Sequence, residues 1–334
     1  MVAIEIFFKR TEVGPTEMPS SRFHCLLDDQ PSYLVPRRLL QCNQKLDSHE
    51  PLILNPQCWF SWTGPAPPQV ASHFPFLEKF FLGTDIAWVV DPVVGRLMPF
   101  WLGPELRSLL SQLRLGDPVP RRVADPIRSV LFAAEIFVDS RFYERRRTEW
   151  ANSTSGWANH FREFGYSCVN GLIHPFHIGS LRRYFRQLVR TGDMRLGDSQ
   201  TSGRFVAHNE GVARFFHHQL AKALTNIVGT PVKPSYVYVS AYQSGAELPK
   251  HTDRAQCEYS LTLCIDHSPP EQEGSWPLFL ETRHRTAAIL QRVGDGLVYK
   301  GRELAHFREA LPKGSSSVFL LFHFVPKDFN GSLD

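Results

Sequence analysis

The sequence predicts an α+β protein: a C-terminal sandwich or jelly roll of short strands, two helices covering one of its faces, and a smaller α/β domain in front. Three observations carry this. From Pro231 onward, short β-like runs (PSYVYVSAY and SLTLCID, which alternate, then PLFLET, TAAILQ, GLVYKG and SVFLLFHFV) are separated by turn residues, which favours a roll over a parallel sheet. Just before them, HPFHIGSLRRYFRQLVRTG and GVARFFHHQLAKALTNIVG place apolar residues at helical spacing and stop at Gly192 and Gly229. A chain of 334 residues that is 43% hydrophobic can also bury a substantial core.

Taken in order, residues 1–75 are rich in Pro, Ser and Gln and hold no periodicity long enough for a helix. FPFLEKFFL (74–82) reads as a short helix, and IAWVVDPVVGRLMPFWL as two strands joined at Asp91 and Pro92. GPELRSLLSQLRLG carries leucines at helical spacing, and Arg121 to Phe137 gives another helix-like segment. Between Phe142 and His160 a charge run gives way to Asn, Ser, Thr and Gly. This predicts a solvated linker between a domain over 1–150 and one over 160–334, with Arg145 to Arg147 in solvent. FGYSCVNGLI then reads as a strand. Ile178, Leu181, Tyr184, Phe185 and Leu188 share one face of the helix after it. His217 and His218 are adjacent on the second helix, about 100° apart, so they pack and do not chelate together.

The net charge of +4 is dispersed, with no Lys/Arg block to follow a phosphate backbone, so nucleic acid is not an expected partner. No run approaches a membrane span and MVAIEIFFKRTEVG has the wrong charge order for a secretory signal, which predicts a cytoplasmic protein without a membrane partner. Six cysteines without CxxC spacing read as free, mostly buried thiols.

The chemistry lies in YQSGAELPKHTD (Tyr242 to Asp253) and GDGLVYKGRELAHFREALPKGSSSVFLLFHFV. His251 and Asp253, two apart on an extended segment, project to one side. His306, between two β-like runs, is the third ligand a roll could return to them. Two imidazoles and a carboxylate on one face of a metal leave positions open, as non-haem Fe(II) oxygen chemistry requires.

With these residues on view, positions 160–334 resemble the Fe(II)- and 2-oxoglutarate-dependent dioxygenases, particularly their prolyl-hydroxylase-like branch. The carriers are Tyr242-x-x-Gly245, the HTD pair, the gap of about fifty residues to His306, and the Gly-Asp-Gly strand before that histidine. The resemblance implies a double-stranded β-helix fold. It implies a hydroxylase with Fe(II) on His251, Asp253 and His306, 2-oxoglutarate and dioxygen as cosubstrates, and ascorbate as a further candidate cofactor. A halogenase does not fit, since those relatives lack the carboxylate supplied here by Asp253.

The family anchors the distal carboxylate of 2-oxoglutarate with a basic residue about ten positions beyond the last histidine, where this chain has serines. Arg308 is the expected anchor, two residues past His306 on the same side of a strand and about 7 Å deeper. Ser315 or Ser317 would add a hydroxyl, Tyr242 and Tyr259 further hydrogen bonds, and Lys313 is read as solvated. His323 is read as packed in the core, and His267 and His284 as exposed. Arg204, His208 and Asn209 lie where relatives build substrate pockets, although capping of the next helix by Asn209 or His208 is the favoured reading. Arg254 is another candidate substrate contact.

The substrate is expected to be a small molecule or amino acid. The alternatives are a peptide or protein residue read by the N-terminal domain, and a non-catalytic cupin-like binding protein. Residues 85–140 also faintly resemble small winged-helix peptide-binding modules, with a generic cap as the favoured reading.

Overall fold

The computed structural model describes residues 21–29, 35–41, 51–73, 76–83 and 85–334. Most of the Pro/Ser-rich first fifty residues, and Cys42 with them, lie outside these. The described cysteines form no disulfide.

The N-terminal part contains α1 (Arg37–Gln41), β1 (Leu52–Leu54), β2 (Cys58–Phe60), α2 (Pro68–Ala71), β3 (Ile86–Asp91), β4 (Arg96–Trp101), α3 (Pro104–Leu110), α4 (Asp125–Ala133) and β5 (Phe137–Asp139). Strands β2, β3 and β4 form one antiparallel sheet, and β1 pairs with β5. Over 76–82, the described part of the helix expected at 74–82, no α-helix forms. Phe74 and Pro75 lie outside the described residues, and Phe80 makes a parallel bridge to Phe23.

The stretch expected to be a linker is a helix, α5 (Phe142–Phe164), ended by Gly165 in the left-handed region at φ 76°. Its surface is polar almost all round, which is what made it look like a connector. Two buried aromatics, Phe142 and Phe161, and the partly buried Trp150 and Trp157 pack it against the core. Two of the three clustered arginines are not in solvent: Arg145 pairs with the buried Asp139, and Arg146 with the buried Asp91 at 2.8 Å, whereas Arg147 is exposed as expected. The 150–160 boundary therefore falls inside a helix.

After β6 (Tyr166–Val169) come α6 (Pro175–Thr191) and α7 (Gly211–Val228), with the short β7 (Arg195–Leu196) and β8 (Arg204–His208) between them. Helix α6 starts on His174, whose side chain accepts the Phe176 N–H, and on a proline; Gly192, at φ 78°, ends it. Helix α7 is capped by Glu210, not by the neighbouring His208 or Asn209. The roll itself is β9 (Val232–Tyr242), β10 (Leu248–His251), β11 (Tyr259–Ser268), β12 (Leu278–Glu281), β13 (Thr286–Ile289), β14 (Gly296–Lys300), β15 (His306–Arg308) and β16 (Ser316–Pro326). A seven-stranded sheet runs β6-β14-β11-β16-β9-β8-β7 and a four-stranded sheet β10-β15-β12-β13, so the C-terminal half is a jelly roll.

Strand alternation decides what faces what. Val237, Val239, Leu261, Leu263, Leu320, Phe322 and Phe324 are buried in the main core with α6 and α7. Their neighbours Tyr236, Tyr238, Thr262, Phe319, Leu321 and His323 line a cavity on the other side of the sheet. The core is continuous from Phe23 through β3, β4, α6 and α7 to β16, so the N-terminal elements pack on the roll as a cap.

His177 joins the two parts. Its Nε2 sits 2.8 Å from the Pro99 carbonyl, its ring stacks on Phe100, and its Nδ1 is buried without a partner. Burial therefore holds its pKa down to about 4. Below the unfolded value near 6.5 the unfolded chain takes up a proton that the native state refuses, so stability falls as pH drops from about 6.5 towards 4. Urea unfolding is expected to show a loss of about 2 kcal/mol from this side chain between pH 7.5 and pH 5, and a shallower dependence in His177→Leu.

Candidate metal centre and cosubstrate pocket

The two sheets enclose a cavity of about 850 Å³. At its wall β10 pairs antiparallel with β15 so that His251 lies opposite His306, with a register shift between Leu248 and His251. The loop after β10 brings Asp253 to the same point. His251 Nε2 lies 3.8 Å, and His306 Nε2 3.6 Å, from Asp253 Oδ1, and the three donor atoms lie within 4.8 Å of one another.

The donors are prepared for a cation. His251 Nδ1 is 2.7 Å from the Pro249 carbonyl and His306 Nδ1 is 3.0 Å from the Leu304 carbonyl. A carbonyl can only accept, so each Nδ1 carries a proton, and in the neutral ring it is Nε2 that offers its lone pair to a metal. Burial also lowers the pKa of His306, which disfavours its protonated form. Ser260 Oγ donates to Asp253 Oδ2 at 2.7 Å, which leaves Oδ1 as the oxygen facing the imidazoles. His323 Nδ1, 2.9 Å from Ser260 Oγ, must then be the donor in that contact. His323 is therefore not an inert packed histidine: it lines the cavity and supports the carboxylate through Ser260. It also forms a second cluster with Asp253 and Cys257.

Gly301 has a specific steric role. A Cβ there would lie 2.2 Å from Asp253 Oδ2, 2.5 Å from the Cys257 carbonyl and 2.8 Å from Ser260 Oγ. The Cys257 contact is backbone and cannot swing away. Gly301→Ala is expected to displace Asp253 and lower metal affinity at least about tenfold, as loss of a supporting partner does; equilibrium dialysis with Fe(II), with circular dichroism as the folding control, checks this.

Arg308 follows His306 on the same face of β15, both buried with Phe307 less so between them. Its guanidinium donates to the Trp276 carbonyl (2.7 Å) and to Gln291 Oε1 (3.1 Å), and lies 4.6 Å and 4.2 Å from the ring centroids of Trp276 and Phe319. No carboxylate pairs with it among the described residues. Burial brings its pKa down to about 10, so it remains a cation at neutral pH with no carboxylate in contact among the described residues.

The other expected site residues divide. Tyr242 lines the cavity, its hydroxyl accepting from Arg204 Nη1 at 2.8 Å. Tyr259 does not. Alternation on β11 turns it to the helix side, its ring 6.1 Å from that of Phe161, while Ser260 takes the site-facing position. Ser317 is buried, but its hydroxyl donates to the Asp266 carbonyl at 3.0 Å. Ser315 donates to Gln272. His267, expected to be exposed, is buried, whereas His284 and Lys313 are exposed. Arg204 lines the cavity, and Asp198 Oδ2 accepts from its Nε at 2.9 Å. His208 pairs with Asp334 at 3.0 Å, and Asn209 accepts the Val237 N–H.

Several neighbours escaped the sequence. The buried hydroxyl of Tyr299 lies 3.4 Å from His306 Nε2, and burial raises its pKa well above the ordinary value. Its place in GLVYKG carried no polar signal. Ser260 and Thr262 did carry one, as hydroxyls alternating with leucines in SLTLCID. Trp276 and Gln291 come from segments outside the strands and had none.

No helix among the described residues is long and apolar enough to cross a membrane. No protein-family model matches the sequence, and no curated protein does. Among solved structures, the chain is similar to the non-heme alpha ketoglutarate dependent epimerase SnoN from nogalamycin biosynthesis, at 14% identity and a TM-score of 0.44 over 53% of this chain and 84% of that one. A Pseudomonas putida prolyl-4-hydroxylase is similar at 14% identity and 0.43, over 52% and 99%. A Trichoplax adhaerens prolyl hydroxylase in complex with a hypoxia inducible factor peptide fragment is similar at 11% identity and 0.45, over 54% and 92%.

Proposed function

We propose that the chain is an Fe(II)- and 2-oxoglutarate-dependent oxygenase that hydroxylates an unactivated C–H bond of a small molecule or amino acid. The observation that carries this is Arg308, a buried cation without an anionic partner, placed on the His306 face of a strand whose other end belongs to a His-Asp-His donor set. A buried charge of this kind needs a counter-ion, and the far carboxylate of a metal-chelating 2-oxo acid meets that need.

The donors suit the metal. Two neutral imidazoles and one carboxylate on one side are the set that non-haem Fe(II) oxygenases use, and a structural zinc site would close with a fourth protein ligand. Iron bound there would supply activation of dioxygen, coupled to decarboxylation of 2-oxoglutarate to succinate and carbon dioxide and to insertion of oxygen into the substrate. The chain does the rest. Arg308 holds and orients the distal carboxylate, Trp276 and Phe319 exclude water from it, and Ser260 limits Asp253 to one inward oxygen.

The volume of about 850 Å³ falls within the size range of small-molecule sites, which favours a small substrate over a protein segment. The calorimetric test is anaerobic. Fe(II) and then 2-oxoglutarate are expected to bind one to one, with 2-oxoglutarate requiring the metal. Failure of 2-oxoglutarate to bind the iron-loaded protein would end the proposal.

A further inference from the structure

We infer that the substrate carries an anionic group, a carboxylate or phosphate, which Arg195 and Arg254 read at the mouth of the cavity. This rests on the oxygenase reading and extends it to the substrate class.

The argument is one of charge. Four arginines line the cavity (Arg195, Arg204, Arg254, Arg308) against two carboxylates, Asp198 and Asp253. Arg204 is already occupied: buried, it donates to Asp198, to Tyr242 and to Gln200. Arg308 is the deep cation assigned to the cosubstrate, and Asp253 is assigned to the metal. A divalent cation and a 2-oxoglutarate dianion cancel one another. Two positive charges are left over, and they belong to the two exposed arginines.

Neither has a carboxylate within ion-pair distance among the described residues. Arg254, next to the ligand Asp253, lies over the Tyr236 ring at 4.7 Å with Nε 3.2 Å from its hydroxyl. That contact fixes the side chain without neutralising it. Arg195, on β7, lies near enough for its charge to act on the Tyr238 hydroxyl, which itself donates to Asp198 at 2.8 Å. Cations along a cleft with low-dielectric walls focus a positive field into it, and guanidinium groups bind carboxylates and phosphates through paired N–H donors. A neutral substrate would make no use of either charge.

The test uses full-length protein loaded with Zn(II) in place of iron and saturated with 2-oxoglutarate, so that the Arg308 end is filled. Phenylacetate and phenyl phosphate are titrated by calorimetry against phenylacetamide and benzyl alcohol. The anions are expected to bind at least about tenfold tighter than the neutral probes. Arg195→Gln and Arg254→Gln are each expected to weaken the anions about fivefold to tenfold, with 2-oxoglutarate affinity unchanged. Both side chains are exposed, so the variants should fold, and circular dichroism checks that.

Any of four results overturns the inference: equal binding of neutral and anionic probes; unchanged anion affinity in the double variant; displacement of 2-oxoglutarate by the anions; or no anion binding at millimolar concentration. Failure of 2-oxoglutarate itself to bind the metal-loaded protein is a separate outcome, read in its own titration, and it strikes the oxygenase reading.

Discussion

Asp253→Ala is expected to abolish metal-dependent 2-oxoglutarate binding and succinate formation, the largest functional loss of any single substitution in the chain. Asp253 supplies the only anionic donor of the triad, since the other two donors are imidazole nitrogens whose Nδ1 atoms are turned to carbonyls. Without it a dication would sit in a half-buried pocket on two neutral nitrogens, with Arg308 further along the same strand. Metal affinity should fall by more than about a hundredfold, the upper end of what even supporting residues of such sites cost. Asp253→Asn separates charge from packing. Its amide oxygen still accepts from Ser260, so the loop should keep its place while metal binding is lost. Equilibrium dialysis of Fe(II), with thermal unfolding of the metal-free protein as control, makes the comparison. Substantial succinate formation by Asp253→Ala would remove this residue from the metal.

What the sequence disclosed and what it hid follow from one physical distinction. Period-two alternation marks a strand, and β9 and β11 were visible that way, while β14 and β16 were visible as short apolar runs between turn residues. The same rule put His306 and Arg308 on one face before any coordinates, because spacing along a strand is a local property. Which face of a strand looks into the cavity is not local. Tyr259 and Ser260 are neighbours, and only the packing of Leu261 and Leu263 against the helices decides that the serine, not the tyrosine, meets Asp253. His323 was misjudged for the same reason. Phe319 and Leu321 on its face looked like core, whereas a cavity wall in a roll is also apolar. Helix α5 was hidden differently: a helix polar around most of its circumference has no periodic signal, and its two buried aromatics lie near opposite ends. Trp276 and Gln291 reach Arg308 through contacts between segments far apart in sequence, which no motif spacing encodes.

Arg308→Met should produce two opposite effects, and their combination identifies the anchor more surely than a loss of activity would. In the cosubstrate-free protein, Arg308 is a fully buried cation with a carbonyl, an amide oxygen and two aromatic faces for company, and its pKa near 10 reflects that burial. A flexible apolar side chain of similar reach removes the desolvation cost and still fills the space between Trp276 and Phe319. The metal-free variant is therefore expected to melt at the same temperature as the parent or higher. With metal and 2-oxoglutarate present the order should reverse. At a hundred times its dissociation constant a ligand stabilises the native state by about 2.7 kcal/mol, and the parent should show that shift. Loss of a charge-assisted contact to a carboxylate in a buried site costs about 3 kcal/mol, a fall in affinity of more than about a hundredfold, so at the same concentration Arg308→Met should show almost no shift. Thermal unfolding of both proteins, with and without 2-oxoglutarate, reads all four values, and Fe(II) dialysis confirms that the metal still binds. If the variant gained as much from 2-oxoglutarate as the parent, the carboxylate would be held elsewhere. Arg204, the other buried arginine on the cavity wall, would be the next to test, although it would first have to release Asp198.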